Sequence, residues 1–150
     1  MNTLTLGCTA LLVSALMACS APKVRNAYEG PERAASDVAT LFTAKKSAYP
    51  DQRPRALFSA VNGKHYGTAV VGYPTVAHVL PGEALVKVYC VTDDLPASWD
   101  KFLLFYATLR AGHFYELACD RFTASAIDRG TSYESIHHLL ADAIQAKQAQ

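Results

Sequence analysis

Cysteine is the residue type through which this chain could do chemistry, and there are four: Cys8, Cys19, Cys90 and Cys119. A thiol can act as nucleophile, acyl acceptor, disulfide partner or soft-metal ligand, and its neighbours decide which. Nucleophilic use requires a histidine beside the sulfur, itself oriented by a carboxylate. The five histidines, His65, His78, His113, His137 and His138, fall in no H-E-x-x-H pattern, and the chain holds no C-x-x-C and no G-x-S-x-G. His137 and His138 are consecutive, so on a helix they point about 100° apart and chelate poorly. Asp93-Asp94 reads as a solvated turn, and no glycine-rich phosphate cradle is present. The sequence therefore predicts no catalytic residue, no metal site, no cofactor and a non-enzymatic role. A thiol-dependent envelope enzyme working through Cys90 or Cys119 stands as an alternative.

Cys19 closes an apolar stretch, Leu4 to Ala18, that carries no charged side chain. Its length suits a signal-peptide core better than a bilayer-crossing helix of roughly 20 residues. Leu16-Met17-Ala18-Cys19, followed by Ser20-Ala21-Pro22, resembles the bacterial lipobox, whose cysteine receives a diacylglycerol on sulfur. The resemblance makes residues 1–18 a lipoprotein signal peptide and Cys19 the lipidated first residue of the mature chain. Further acylation brings the anchor to three chains, each buried methylene contributing about 0.8 kcal/mol. Met1-Asn2-Thr3 departs from the pattern in having no Lys or Arg ahead of the apolar stretch. The residue after the cysteine is Ser20 rather than Asp, which implies sorting to the outer membrane, on its periplasmic face. The membrane and an envelope protein are the partners this reading implies.

Removing 18 leader residues from 150 leaves 132, enough for one domain with a core of its own. Half of the chain is hydrophobic (51%), and the formal net charge is only +1. That balance argues for a globular domain and against nucleic-acid binding. The secretory leader assigns an oxidising compartment. There Cys90 and Cys119 form an even pair, which predicts one intramolecular disulfide, with two buried free thiols or half of a soft-metal site as the alternatives.

Residues 19–33 read as the lipidated cysteine and a tether, with Pro22, Asn26, Gly30 and Pro31. Pro31 suits the first turn of a short helix, with Val38, Leu41 and Phe42 packing behind it. Lys45 to Arg55 reads as loop. A β pattern then runs to residue 130. Ala56–Val61 ends at Asn62-Gly63, a strong two-residue hairpin signal. His65–Tyr73 stops at Pro74, and Leu80-Pro81-Gly82 turns into Ala84–Val91. Lys101–Arg110 is followed by Ala111-Gly112 and by Phe114–Cys119, expected as its antiparallel partner, and Phe122–Ile127 adds a last strand. Apolar runs about ten residues apart, each ended by a turn signal, predict a mainly β domain: a small antiparallel β-sandwich over 34–130. Thr131 and Glu134 have capping-box spacing, and Ile136, Leu139, Leu140, Ala143 and Ile144 share a stripe. These predict a C-terminal amphipathic helix, 131–147, packed on the domain.

Strand parity places Val86, Val88 and Cys90 on one face, and Tyr115, Leu117 and Cys119 on another, both core-facing. On neighbouring strands the two cysteines can approach as a disulfide needs. Among the aromatics Tyr66, Tyr73, Tyr89, Trp99, Phe105 and Tyr106, core packing accounts for most. Trp99 and Tyr73 are the candidate contacts for a glycan or peptidoglycan fragment, the alternative binding role.

Tyr28-Glu29-Gly30-Pro31-Glu32-Arg33 with Asp37-Val38-Ala39-Thr40-Leu41, then Val61-Asn62-Gly63, then Leu80-Pro81-Gly82 before Val86-Lys87-Val88, then Ala111-Gly112-His113-Phe114-Tyr115 before Leu117, resembles a group of small Gram-negative lipoproteins. The resemblance covers about Tyr28 to Cys119 and implies a compact β-sandwich on a lipid anchor. It carries no catalytic residues. The turn glycines followed by an alternating strand are also similar, more faintly, to PEGA-type sandwich modules.

Overall fold

The computed structural model describes residues 24–44, 55–91, 101–120, 122–134 and 136–139. Among these residues nine strands form one sheet: β1 (Val24–Asn26), β2 (Ala39–Thr43), β3 (Arg55–Val61), β4 (Lys64–His65), β5 (Val76–Val79), β6 (Gly82–Val91), β7 (Lys101–Leu109), β8 (Phe114–Cys119) and β9 (Ala124–Asp128). Their order is β1-β5-β2-β8-β3-β6-β7, with β4 paired to β3 and β9 to β8. The domain is mainly β, as the turn-punctuated pattern predicts. The sheet is single and mixed rather than purely antiparallel, because β1 runs parallel to β5 and β2 parallel to β8.

The turn chemistry explains the hairpins. Asn62 and Gly63 have φ of 48° and 81°, the two positive values of a type I′ turn, and they set Val61 opposite Lys64. The Asn62 side chain also accepts a hydrogen bond from the Leu85 N–H at 2.9 Å, tying this turn to β6. Along β3 the register slips between Phe58 and Ala60, so Ser59 is an extra residue. The bulge turns both Phe58 and Val61 inward, although they are three positions apart. The freed Ser59 carbonyl accepts from the N–H groups of Tyr66 and Gly67 at 2.8 and 3.2 Å. β6 alternates as expected, with Ala84, Val86, Val88 and Cys90 buried.

Four expectations change. The helix expected after Pro31 is only a 3-10 turn, Ala35–Asp37, and Leu41 and Phe42 lie in β2. All five residues of β2 are buried, Leu41 in the main core and Phe42 in a second cluster with Val76 and Ile136. A strand covered on both faces loses its alternation, and the spacing of Val38, Leu41 and Phe42 then mimics a helical stripe. Second, β8 is not the partner of β7. It lies between β2 and β9 and touches β3 through Ala118 and Arg55, while β7 pairs with β6. The connecting loop explains this: Gly112, at φ 74°, donates its N–H to the Val38 carbonyl at 2.8 Å and leads the chain alongside β2. Third, the stretch expected as tether contributes β1, where Val24 lies beside Val76. Fourth, no α-helix occurs among the described residues. Residues 136–139 form turns, with Ile136 buried and Tyr133 and Leu139 packed beside it, and the rest of the expected helix lies outside the described residues.

Strand directions define two ends. The starts of β1, β3, β5, β7 and β9 and the finishes of β2, β6 and β8 share one end, here called the β1 end. The main core takes residues from β2, β3, β5, β6, β7 and β8, so the sheet wraps around it.

Candidate functional site

Antiparallel register fixes which side chains share the outer face of β6 and β7: Tyr89 with Phe102, Lys87 with Leu104, and Leu85 with Tyr106. Leu103, Phe105 and Ala107 point inward between them and pack on the core. Strand β7 ends the strand order and, among the described strands, pairs only with β6. Along it Phe102 is 47% exposed, Leu104 59% and Tyr106 81%. Sequence parity places Phe105 and Tyr106 on opposite faces. It does not say which face is covered, so Phe102 and Leu104 were not singled out.

Tyr73, expected as a ligand contact, stacks on Tyr89 with ring centroids 5.3 Å apart, and Tyr89 packs on Phe102 at 4.9 Å. One face of Tyr73 is therefore committed to Tyr89. Burial raises the pKa of its hydroxyl above the ordinary value. A cavity of about 290 Å³ opens between Ser59, His65, Thr68, Tyr73, Tyr89 and Phe102. The Lys87 ammonium lies 4.5 Å from the Phe102 ring centroid, within cation–π reach. Trp99 and Cys19 lie outside the described residues.

Cys90 and Cys119 are brought together at bonding distance, with Cα atoms 6.3 Å apart. Both are core-facing, as parity predicts, but they are not on neighbouring strands: Cys90 sits opposite Ala56, and Cys119 follows Ala118, which sits opposite Arg55. Two strands flanking a third in a flat sheet stand about 10 Å apart. The shorter separation records how tightly the sheet curls over the first residues of β3.

Two polar pairs escaped the sequence reading. Glu116 is fully buried, and Oε2 accepts from Arg129 Nε at 2.8 Å, while among the described residues Oε1 has no hydrogen-bond partner. Within Tyr115-Glu116-Leu117 the alternation assigns Glu116 to solvent. Its face is instead shared with Phe42 of β2 and Ile127 of β9. A groove of about 370 Å³ runs past Arg129, lined also by Arg55, Asp120, Thr123 and Ser125. His113 Nδ1 lies 3.0 Å from both oxygens of Asp128, which also accepts from the Gly130 N–H at 2.8 Å. Burial acts to raise the Asp128 pKa, but the hydrogen bonds from His113 and Gly130 and the charges of His113 and Arg110 leave it below 3.8. Among the described residues no three of His, Cys, Asp and Glu converge on a common point.

These features define a mainly β domain, one mixed sheet wrapped on its core, with an exposed apolar row on its last strand. No known protein family, curated protein or solved structure matches this chain.

Proposed function

We propose that this chain is a periplasmic lipoprotein anchored through Cys19 to the outer membrane, whose sandwich-like domain binds or assists another envelope protein without catalysing a reaction. The observation that supports binding is the row Phe102, Leu104 and Tyr106 on β7. Exposed apolar residues on a terminal strand are an aggregation liability, which folded proteins suppress unless the surface is used. The lipobox-like Leu16-Met17-Ala18-Cys19 supports the anchor, and Ser20 supports outer-membrane sorting. The experiment is in-cell crosslinking of the full-length protein, followed by mass spectrometry of the adducts. Leu104→Glu with Tyr106→Glu should abolish a specific adduct while the protein stays folded and membrane-bound. An unchanged adduct pattern would remove β7 as the binding row. In parallel, Cys19→Ser should abolish palmitate incorporation.

A second reading, a glycan or peptidoglycan-fragment module, draws support from the cavity beside Tyr73, Tyr89 and Phe102. It expects Trp99 or Tyr73 emission to change on titration with muropeptides, and no change at millimolar ligand would exclude it.

A further inference from the structure

We infer that the occupant of the β7 row is a second copy of this chain, packed face to face on β6 and β7 about a twofold axis at the level of Leu85 and Tyr106; this rests on the reading of that row as a binding surface. The charges of the face carry it. Alternate residues of a strand share a face, so Glu83, Leu85, Lys87 and Tyr89 of β6 point outward together. Beside them, in that order, lie Thr108, Tyr106, Leu104 and Phe102 of β7. Within these eight positions the charged residues are Glu83 and Lys87, opposite in sign and each two residues from Leu85.

A twofold axis crossing the strands at Leu85 reverses strand direction between the copies and exchanges the two charged levels. Glu83 of each copy then stands opposite Lys87 of the other, so one face supplies both members of two ion pairs. An axis along the strands would instead leave the two lysines at one level and the two glutamates at another, which opposes binding. Packed sheets cross at about 30°, shallow enough to keep these levels in register over so short a face. Glu83 is exposed and, among the described residues, has no ion-pair partner within its own chain. The Lys87 ammonium rests against the Phe102 ring, on the face it would have to meet.

Exposure follows the same centre. Along β7 it rises from Phe102 through Leu104 to Tyr106, the residue nearest the axis. The axis sets Tyr106 beside Tyr106 of the other copy and Leu104 opposite Thr108. Aromatic side chains at the middle of a contact carry much of its binding energy. From Glu83 to Tyr89 the face is about 20 Å long, and its two strands make it about 10 Å wide. That is less than the roughly 800 Å² per partner of a stable complex. The pairing is therefore weak between free molecules and is sustained by the high local concentration of chains anchored in one membrane.

The test uses the full-length chain in cells with Leu104→p-benzoylphenylalanine as photo-crosslinker. The expected product has twice the mass of the chain, and its crosslinked peptide comes from β6 or β7 of the other copy. Glu83→Lys alone and Lys87→Glu alone should each lower its yield about fivefold or more, because each sets like charges opposite one another. Glu83→Lys together with Lys87→Glu should restore it, which a variant that merely misfolds would not do. A doubled-mass product indifferent to these charges would overturn the twofold packing. Adducts to other proteins alone would overturn the second copy and leave β7 a binding row. Absence of any protein adduct would overturn both readings.

Discussion

Cys90 and Cys119 lie on strands that both border β3, yet their Cα atoms are 6.3 Å apart. The bond closes a loop of 29 residues that includes all of β7 and the crossing to β8. Cross-linking a loop of this length disfavours the unfolded chain by about 3–4 kcal/mol. Replacing both cysteines by alanine should lower stability by about that much in urea titrations. Intact-mass measurement of the native protein should find it lighter than the reduced chain by two hydrogens. Full-rate labelling of both thiols in the unreduced native protein would contradict the bond.

The Glu116–Arg129 pair makes a sharper prediction. Arg129→Ala leaves a fully buried carboxylate without its cation, which should cost about 2–4 kcal/mol. Changing both together, Glu116→Leu with Arg129→Leu, removes the charge as well as its partner. That double variant should recover most of the loss. If the losses of Glu116→Leu and of Arg129→Leu, each measured singly, simply add in the double, the pair does not act as a unit.

Asp128 contributes a pH dependence of defined sign. Its folded pKa lies below the ordinary 3.8, so its contribution to stability is present above 3.8 and is lost as pH falls through the lower, folded value. The largest single influence on Asp128 is burial, acting upward, and the hydrogen bond from His113 is the largest influence acting against it. His113→Ala should therefore move the Asp128 midpoint upward, read from its carboxyl carbon shift by NMR. A midpoint that stays or falls would show that His113 does not hold this carboxylate ionised.

Gly67 is fixed by space. A Cβ at this position would meet Pro74 Cδ at 2.8 Å and the Tyr73 Cα at 2.9 Å, and the second is backbone. Gly67→Ala should destabilise the domain by about 1–3 kcal/mol. It should also disturb the Tyr73–Tyr89 stack, seen as a change in near-ultraviolet circular dichroism. By contrast, Val70→Ala at the exposed tip should leave stability within about 0.5 kcal/mol of the parent.

Strands whose two faces differ were legible. Phe114–Cys119 was located to the residue, and Ala84–Val91 was extended only by Gly82 and Glu83, because alternation and flanking turns agree there. Strand β2 was not legible, since burial on both faces erases the alternation. Strand β5 was hidden between Pro74 and Pro81: its four residues are too few to establish a period. The exposed row was half legible. Parity separates Tyr106 from Phe105, but only the folded sheet shows that the face of β7 carrying Tyr106 is the uncovered one.

The sequence by itself determined what is written locally: turn positions from residues able to take positive φ, the inward faces of alternating strands, and the lipobox-like cysteine. Tertiary structure decided what depends on distant neighbours. It passed over β7 and set β8 beside β2, closed Cys90 on Cys119 over the start of β3, and buried Glu116 against Arg129. Local preference reaches only a few residues along the chain, whereas pairing and burial are settled by elements tens of residues apart once they share one core.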